Sequence, residues 1–485
     1  MGVVFKQSLN NTIVTYIGFG IGAVNVLFLY TNFMSEEYYG LVNVVLSAST
    51  VLMPILAFGV PNTLVKFYSS FKDKSTADGF LTLMLLLPLA LMLPLAAITY
   101  VAHEAIGAFI SQENEIVKDY VWPIFLIGMA MAYFEVFYAW ARVKMKSVFG
   151  NFMKEVFSRT AVTLLLFLLY FDFIAIQMFI PAAVGVYALR TLIMCTYAFS
   201  VRKPVLSMRF PANTGNILVY TTLIITGGSA AIVLLEIDKV MINQFIEIEN
   251  VAYYSVAGFI AMVIAVPSRA MHQITYPLTA ELLNKNDRES LGELYHRSSL
   301  TLFIVSGLLF VLILTNLDDL YEMLPEAYRN GFVIFVWLGL AKVFDALLGN
   351  NNSILYNSDY YRAVLMMGVL LAVLTVCLNL WLIPKFGLDG AAIASFSAFF
   401  VYNVIKIGYV KSKFALLPFT RETLKVAGLL MALAIPIYYL EIPFHPIVKI
   451  IIKGTVVSAV YITVLYRFRI SSDVFGVMSR FLNPK

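Results

Sequence analysis

Charge is scarce in this 485-residue chain: Asp, Glu, Lys and Arg together make 13% of it, against about 25% in an ordinary soluble domain. Cysteine is scarcer still. The two present, Cys195 and Cys377, both fall inside apolar stretches and say nothing about a disulfide framework. Four histidines (His103, His272, His296, His445) are scattered and form no metal-ligand cluster. No Walker-type phosphate loop, no His-Glu-x-x-His pair and no Gly-x-Ser-x-Gly elbow occurs, so an ATPase, a zinc peptidase and an α/β-hydrolase find no support. The net charge of +5 comes without a lysine-rich tail or a basic stripe, which leaves nucleic acid without a footprint.

Apolar residues are abundant instead, at 60% of the chain. One water-soluble core could not hide so much apolar surface, so lipid is the expected solvent. A bilayer core of ~30 Å needs about twenty helical residues per crossing. Runs of that kind recur at 11–30, 40–60, 80–102, 120–141, 156–171, 174–199, 215–237, 251–267, 300–316, 331–349, 363–383, 390–410, 426–440 and 447–465. The expected fold is therefore all-α and polytopic, with about fourteen transmembrane helices. The first run has no small-residue cleavage site after it and reads as a retained span. No separate extramembrane domain is expected, because every connection is short.

Basic residues orient the spans. With both termini cytoplasmic, the inner segments hold Lys66, Lys72 and Lys74, then Arg142, Lys144, Lys146, Lys154 and Arg159, then Arg202, Lys203 and Arg209. Further along they hold Arg269, Lys285, Arg288 and Arg297, then Arg362, then Lys411, Lys413, Arg421 and Lys425, then Arg467, Arg469, Arg480 and Lys485. The outer loops hold only Lys118, Lys239, Arg329 and Lys385. This obeys the positive-inside rule, and one missed helix would invert it downstream.

An internal duplication is expected as well. Tyr38-Tyr39-Gly40 returns as Tyr253-Tyr254-Ser255, 215 positions later, and Pro181-Ala182-Ala183-Val184 as Gly390-Ala391-Ala392-Ile393, 209 positions later. Two nearly equal offsets predict two parallel six-helix lobes, 1–207 and 208–413. The segment 414–485 then carries spans thirteen and fourteen and a cytoplasmic tail. A substrate site is expected near mid-membrane between such lobes. Gly18, Gly20, Gly22, Gly227 and Gly228 lie in the matching first and seventh spans, as packing or hinge positions.

An ionisable residue at mid-membrane costs roughly 2.5–3.5 kcal/mol and is a functional candidate by default. Side chains on a helix lean toward its N-terminus. That lean carries Lys449 and Lys453 outward to water, as interfacial anchors. It carries Arg190 and Lys342 deeper, so both should face protein or a wet cavity. Asp345, three residues after Lys342, forms with it either a self-contained ion pair or a coupling site. Glu135 can pair with Arg142 or stand in a cavity. Glu236, Asp238 and Lys239 mark the outer end of span seven.

Three motifs carry a resemblance. Ile237-Asp238-Lys239-Val240-Met241-Ile242, followed by Ala252-Tyr253-Tyr254-Ser255-Val256, is similar to the segment joining spans seven and eight of bacterial polysaccharide flippases. Asn379-Leu380-Trp381-Leu382-Ile383-Pro384-Lys385-Phe386-Gly387, with Gly390-Ala391-Ala392-Ile393-Ala394, resembles the same family around span twelve. Glu36-Glu37-Tyr38-Tyr39-Gly40-Leu41, with Phe58-Gly59-Val60, resembles its first hairpin. That family belongs to the multidrug/oligosaccharidyl-lipid/polysaccharide exporter superfamily.

The resemblance implies a V-shaped, two-lobed transporter of the bacterial plasma (inner) membrane, not an enzyme and without a cofactor. It would flip a polyprenyl-diphosphate-linked oligosaccharide to the outer leaflet, alongside other polysaccharide-assembly membrane proteins. Arg190 and Lys342 suit the diphosphate. Asp345, Glu135, Asp238 and Lys239 are left as coupling or ion-pair residues. Relatives that flip the peptidoglycan precursor carry basic residues in the first span, and this chain has none there. Two other classes stay open: a cation-coupled multidrug exporter using Glu135 or Asp345, and a membrane-embedded glycan polymerase, which the short outer loops disfavour.

Overall fold

A computed structural model describes residues 2–71, 73–228, 230–471 and 476. Of the basic residues used for orientation, Lys72, Arg480 and Lys485 lie outside the described residues. Regular structure among the described residues is helical, with no strand. Lipid dictates this outcome, because a backbone without water must bond to itself, and a helix does so within one segment.

Among the described residues, ten helical segments are long and apolar enough to cross a membrane. They are Asn10–Phe33, Glu36–Leu56, Lys74–Val101, Glu115–Arg142, Ile176–Val201, Glu249–His272, Arg288–Leu314, Glu326–Leu347, Arg362–Phe414 and Pro446–Arg467. Arg362–Phe414 is two helices joined at Gly387, whose φ of 56° lies in the left-handed region. A Cβ on Gly390 would collide with the Leu382 carbonyl. A straight helix would hold those residues ~12 Å apart, so the chain reverses here, as expected between spans eleven and twelve. The expected spans five, seven and thirteen are helical but shorter or more charged: Ser158–Tyr170, Thr214–Gly228 with Ala230–Phe245, and Arg421–Tyr438.

The chain forms two compact units, 1–255 and 256–485. In the first, Phe80, Phe134, Trp140, Met194 and Ile217 share one buried cluster. Two π-helical turns, Asn25–Leu29 and Met153–Phe157, interrupt helices that pack together. Asn25 Nδ2 donates to the Arg159 carbonyl at 2.9 Å, and Thr163 Oγ1 donates to Asn25 Oδ1 at 2.8 Å. Gly18 permits the close approach, since a Cβ there would sit 2.5 Å from the Glu155 carbonyl oxygen. Gly22 faces the Arg159 side chain, whereas Gly20 faces open space. Gly18 and Gly22 are therefore packing positions.

The expected seventh span joins this unit. Asn114 Nδ2 donates to the carbonyls of Asn243 (2.8 Å) and Ile246 (3.0 Å), and its oxygen accepts from Ile248 N–H at 3.0 Å. One distant side chain thus satisfies carbonyls that a helix end leaves open.

In the second unit, Phe303, Val426, Val457 and Tyr461 share a buried cluster, and Tyr461 donates to the Ile304 carbonyl at 3.0 Å. The helices Arg421–Tyr438 and Pro446–Arg467 thus pack on Arg288–Leu314. Lys453 departs from the expected lean toward water. It is 8% exposed, and its Nζ donates to Asp319 Oδ2 at 3.0 Å and to the Thr315 carbonyl at 3.3 Å. Lys449 lies 3.2 Å from Asp319 Oδ1 and 3.4 Å from Glu322. Ion pairing, invisible in the local sequence, outcompetes the route to solvent.

Two connections are capped by aspartate. Asp73 accepts from Thr76 N–H at 2.9 Å, and Asp287 from Ser290 N–H at 3.0 Å. The N–H and hydroxyl of Thr76 hold Asp73, and the hydroxyl and N–H of Ser290 hold Asp287, below the usual carboxylate range. A lowered folded value means that the cap's stabilisation is complete above about pH 4 and fades as pH falls through the folded value. The difference in melting temperature between wild type and Asp287→Ala should therefore shrink from pH 6 toward pH 3. A constant difference would show that the charge is immaterial.

Candidate functional site

A charge cluster inside the first unit arises where three helical elements meet. The helix Val121–Arg142 supplies Phe134, Glu135 and, in its last turn, Arg142. The π-turn Met153–Phe157 supplies Lys154 and Glu155, and Ser158 and Arg159 follow it. The helix Phe179–Val201 supplies Tyr187 and Arg190. Such π-turns are inserted irregularities that recur at functional sites.

Arg190 is 6% exposed. Its guanidinium carbon lies 4.2 Å from the Phe134 ring centre and 4.8 Å from that of Tyr187. Its Nη1 donates to Ser158 Oγ at 3.0 Å, while its Nε is buried without a hydrogen-bond partner. A planar fork held by two aromatic rings, with an unused donor, is arranged to take an anion. Glu135 Oε1 meets Lys154 Nζ at 2.6 Å, so its partner is Lys154, as well as the electrostatically near Arg142. Arg159 Nη1 meets Glu155 Oε2 at 2.9 Å. Glu135, Arg142, Lys154, Asn62 and Pro54 line a cavity of about 140 Å³. Arg142, Lys154, Arg159 and Arg190 are set against Glu135 and Glu155, four cations to two carboxylates.

The second unit holds another cluster. Lys342 Nζ lies 5.0 Å from the Phe399 ring centre. Asp345 Oδ1 is 3.8 Å from Lys406 Nζ, which also donates to Asn352 Oδ1 at 3.2 Å. Lys406 is 1% exposed, and the neighbouring Asn403 is fully buried with neither amide atom hydrogen-bonded. Lys239 reaches the first cluster indirectly, through Glu236, which acts electrostatically on Tyr187. Asp238 Oδ2 accepts from Tyr254 OH at 2.6 Å, and Lys239 meets Glu236 at 2.9 Å, where Ser47 also donates at 2.7 Å.

Sequence reading missed two of these groups. Lys154 was absorbed among the flanking cations, although Lys154, Glu155 and Arg159 together are unusual at the start of a span. Lys406 lies within the expected run 390–410, and the depth argument that found Arg190 applies equally to it. No group of three His, Cys, Asp or Glu among the described residues could hold a metal.

A family profile described as polysaccharide biosynthesis protein matches residues 4–283. No curated protein matches significantly. Among solved structures, the lipid II flippase MurJ in an inward closed conformation is similar, with a TM-score of 0.72 at 14% identity over 95% of this chain and 99% of that one. An inward-facing multidrug resistance MATE family transporter of the MOP superfamily gives 0.64 at 14% identity, over 83% and 94%. A MOP superfamily transporter from Pyrococcus furiosus gives 0.60 at 13% identity, over 86% and 96%. At such identities the shared property is the fold, that of MOP-superfamily transporters, and the many apolar helices make this a multi-span membrane protein.

Proposed function

Since the chain belongs to the polysaccharide biosynthesis protein family, we propose that it flips a polyprenyl-diphosphate-linked oligosaccharide from the cytoplasmic to the outer leaflet by alternating access. The membrane is the bacterial plasma membrane, with both termini cytoplasmic. The lobes are 1–207 and 208–413, and 414–485 is an added pair of helices. A protein of the same fold flips lipid II, which makes a lipid-borne cargo a natural one for this architecture.

The observation that carries the reading is Arg190, a buried guanidinium clasped by Phe134 and Tyr187 with an unused Nε. A diphosphate offers the acceptors such a fork needs. Lys154 and Arg142 extend the cationic face, and Lys342 serves the second unit. Deleting the gene should trap the lipid-linked precursor on the cytoplasmic leaflet, and an unchanged transbilayer distribution would refute the reading. The MATE neighbours support a second one, a cation-coupled exporter with Glu135 or Asp345 as the coupling carboxylate. Lowered dye accumulation on expression, with normal precursor distribution, would favour it.

A further inference from the structure

The pair Glu135–Lys154 sits where an incoming anion would bind. Glu135 is the carboxylate lining the 140 Å³ cavity, and Arg142 and Lys154 line it too. A tetrahedral phosphate and a carboxylate make the same kind of bond to these cations, charge-assisted N–H···O⁻. The two partners also differ in freedom. The Lys154 side chain is 46% exposed and that of Glu135 18%, so the lysine can follow a new anion while the carboxylate stays in the wall.

We propose that Glu135 is a built-in stand-in for the substrate's phosphate. It neutralises the cations of the empty site, then yields them to the entering anion and takes up one proton from water. The inference rests on the flippase reading above. The balance is simple: –COO⁻ and H⁺ give –COOH, and no other bond changes. The uptake follows from the loss of Lys154 as a partner and the approach of a second negative charge. A half-buried carboxylate that loses its cation and gains an anion beside it is costly as a charge and becomes neutral instead.

The charged groups that face Glu135 are Lys154 and Glu155 from the π-turn, Arg142 from its own helix and Arg190 from Phe179–Val201. Tyr138, one turn along the same helix, is a further titratable group near it. The segment running from Glu36–Leu56 into Val60–Phe67 contributes only uncharged lining, including Met53, Pro54 and Asn62. A bound diphosphate diester brings two negative charges, and protonation of Glu135 removes one, so the net charge of the site changes by one unit instead of two.

The test is anion binding to the purified, detergent-solubilised full chain at constant ionic strength. Inorganic pyrophosphate should bind Glu135→Gln at least tenfold more tightly than wild type at pH 8, because the competing carboxylate is gone. Wild type supplies a readout without any variant. Sulfate does not titrate between pH 6 and 8, so its affinity should fall with rising pH, by up to tenfold per unit if a whole proton is taken up. Pyrophosphate binding that is weakened by Arg190→Lys but unmoved by Glu135→Gln, with sulfate binding independent of pH, would overturn this inference and leave the flippase reading standing. No anion binding by wild type at either pH would remove the anion site from both.

Discussion

Arg190→Ala is expected to lower flipping of the lipid-linked oligosaccharide by about 100-fold in reconstituted vesicles, with the protein still folded. Hydrogen bonds to a charged group are worth about 1.5–3 kcal/mol each. A bidentate clasp lost in the crossing state therefore accounts for roughly two orders of magnitude, at about 1.4 kcal/mol per decade. Arg190→Lys should fare little better. A lysine keeps the charge but loses the planar fork that lies between Phe134 and Tyr187, and one ammonium cannot present two parallel donors. Folding is expected to survive, because the guanidinium's recorded partners are a hydroxyl and two rings rather than a buried carboxylate. The check is a scrambling assay on a fluorescent lipid-linked precursor, with thermal melts run in parallel. Normal transport in both variants would make Arg190 a structural residue. Lys342→Ala tests the second unit in the same assay, with impaired transport expected.

The largest stability effect is expected at Lys453. Lys453→Met leaves Asp319, itself nearly buried, with only Lys449 as a lysine partner. Removing one member of a buried pair typically costs about 3–5 kcal/mol, because the remaining charge is stranded. Lys449 should hold the loss to the lower end, about 3 kcal/mol. In a denaturation series in mixed micelles, Lys453→Met should show this loss, and Asp319→Asn combined with it should lose less than the two single changes added. Additive losses would mean that the two side chains act independently. Transport need not change by the same factor, since this pair lies in the unit that lacks Arg190.

How much was legible in the sequence depended on distance along the chain. Helices were legible because apolar length is local, and ten segments meet the criterion for crossing. The hairpin at Gly387 was legible as the break between the apolar runs 363–383 and 390–410. Spans five, seven and thirteen are helical but less apolar or shorter than the rest, and charge explains two of them. Lys154, Glu155 and Arg159 load the start of span five, as Arg421, Glu422 and Lys425 load that of thirteen. For the sites, depth along a helix could flag Arg190 and Lys342. Depth says nothing about which face a residue occupies or which carboxylate awaits it. The lean of Lys453 points to water, and the only nearby charge that the sequence offers Asp345 is Lys342. The structure sets Asp319 beside Lys453 and Lys406 beside Asp345, contacts that only folding creates.

Biosynthesis gives the buried Asp319–Lys453 pair a timetable. The aspartate precedes the lysine by 134 residues. At ~5–20 residues per second, it leaves the ribosome on the order of ten seconds before its partner. During that interval a carboxylate destined for burial has no lysine, and whatever shelters it must later give way. The lysine then enters the bilayer at a cost of roughly 2.5–3.5 kcal/mol, which is recovered only when the helix Pro446–Arg467 docks on its unit. Insertion of that helix and closure of the pair are thus one event. A ribosome stalled between the two residues would leave Asp319, just past the end of the helix Arg288–Leu314, without either lysine.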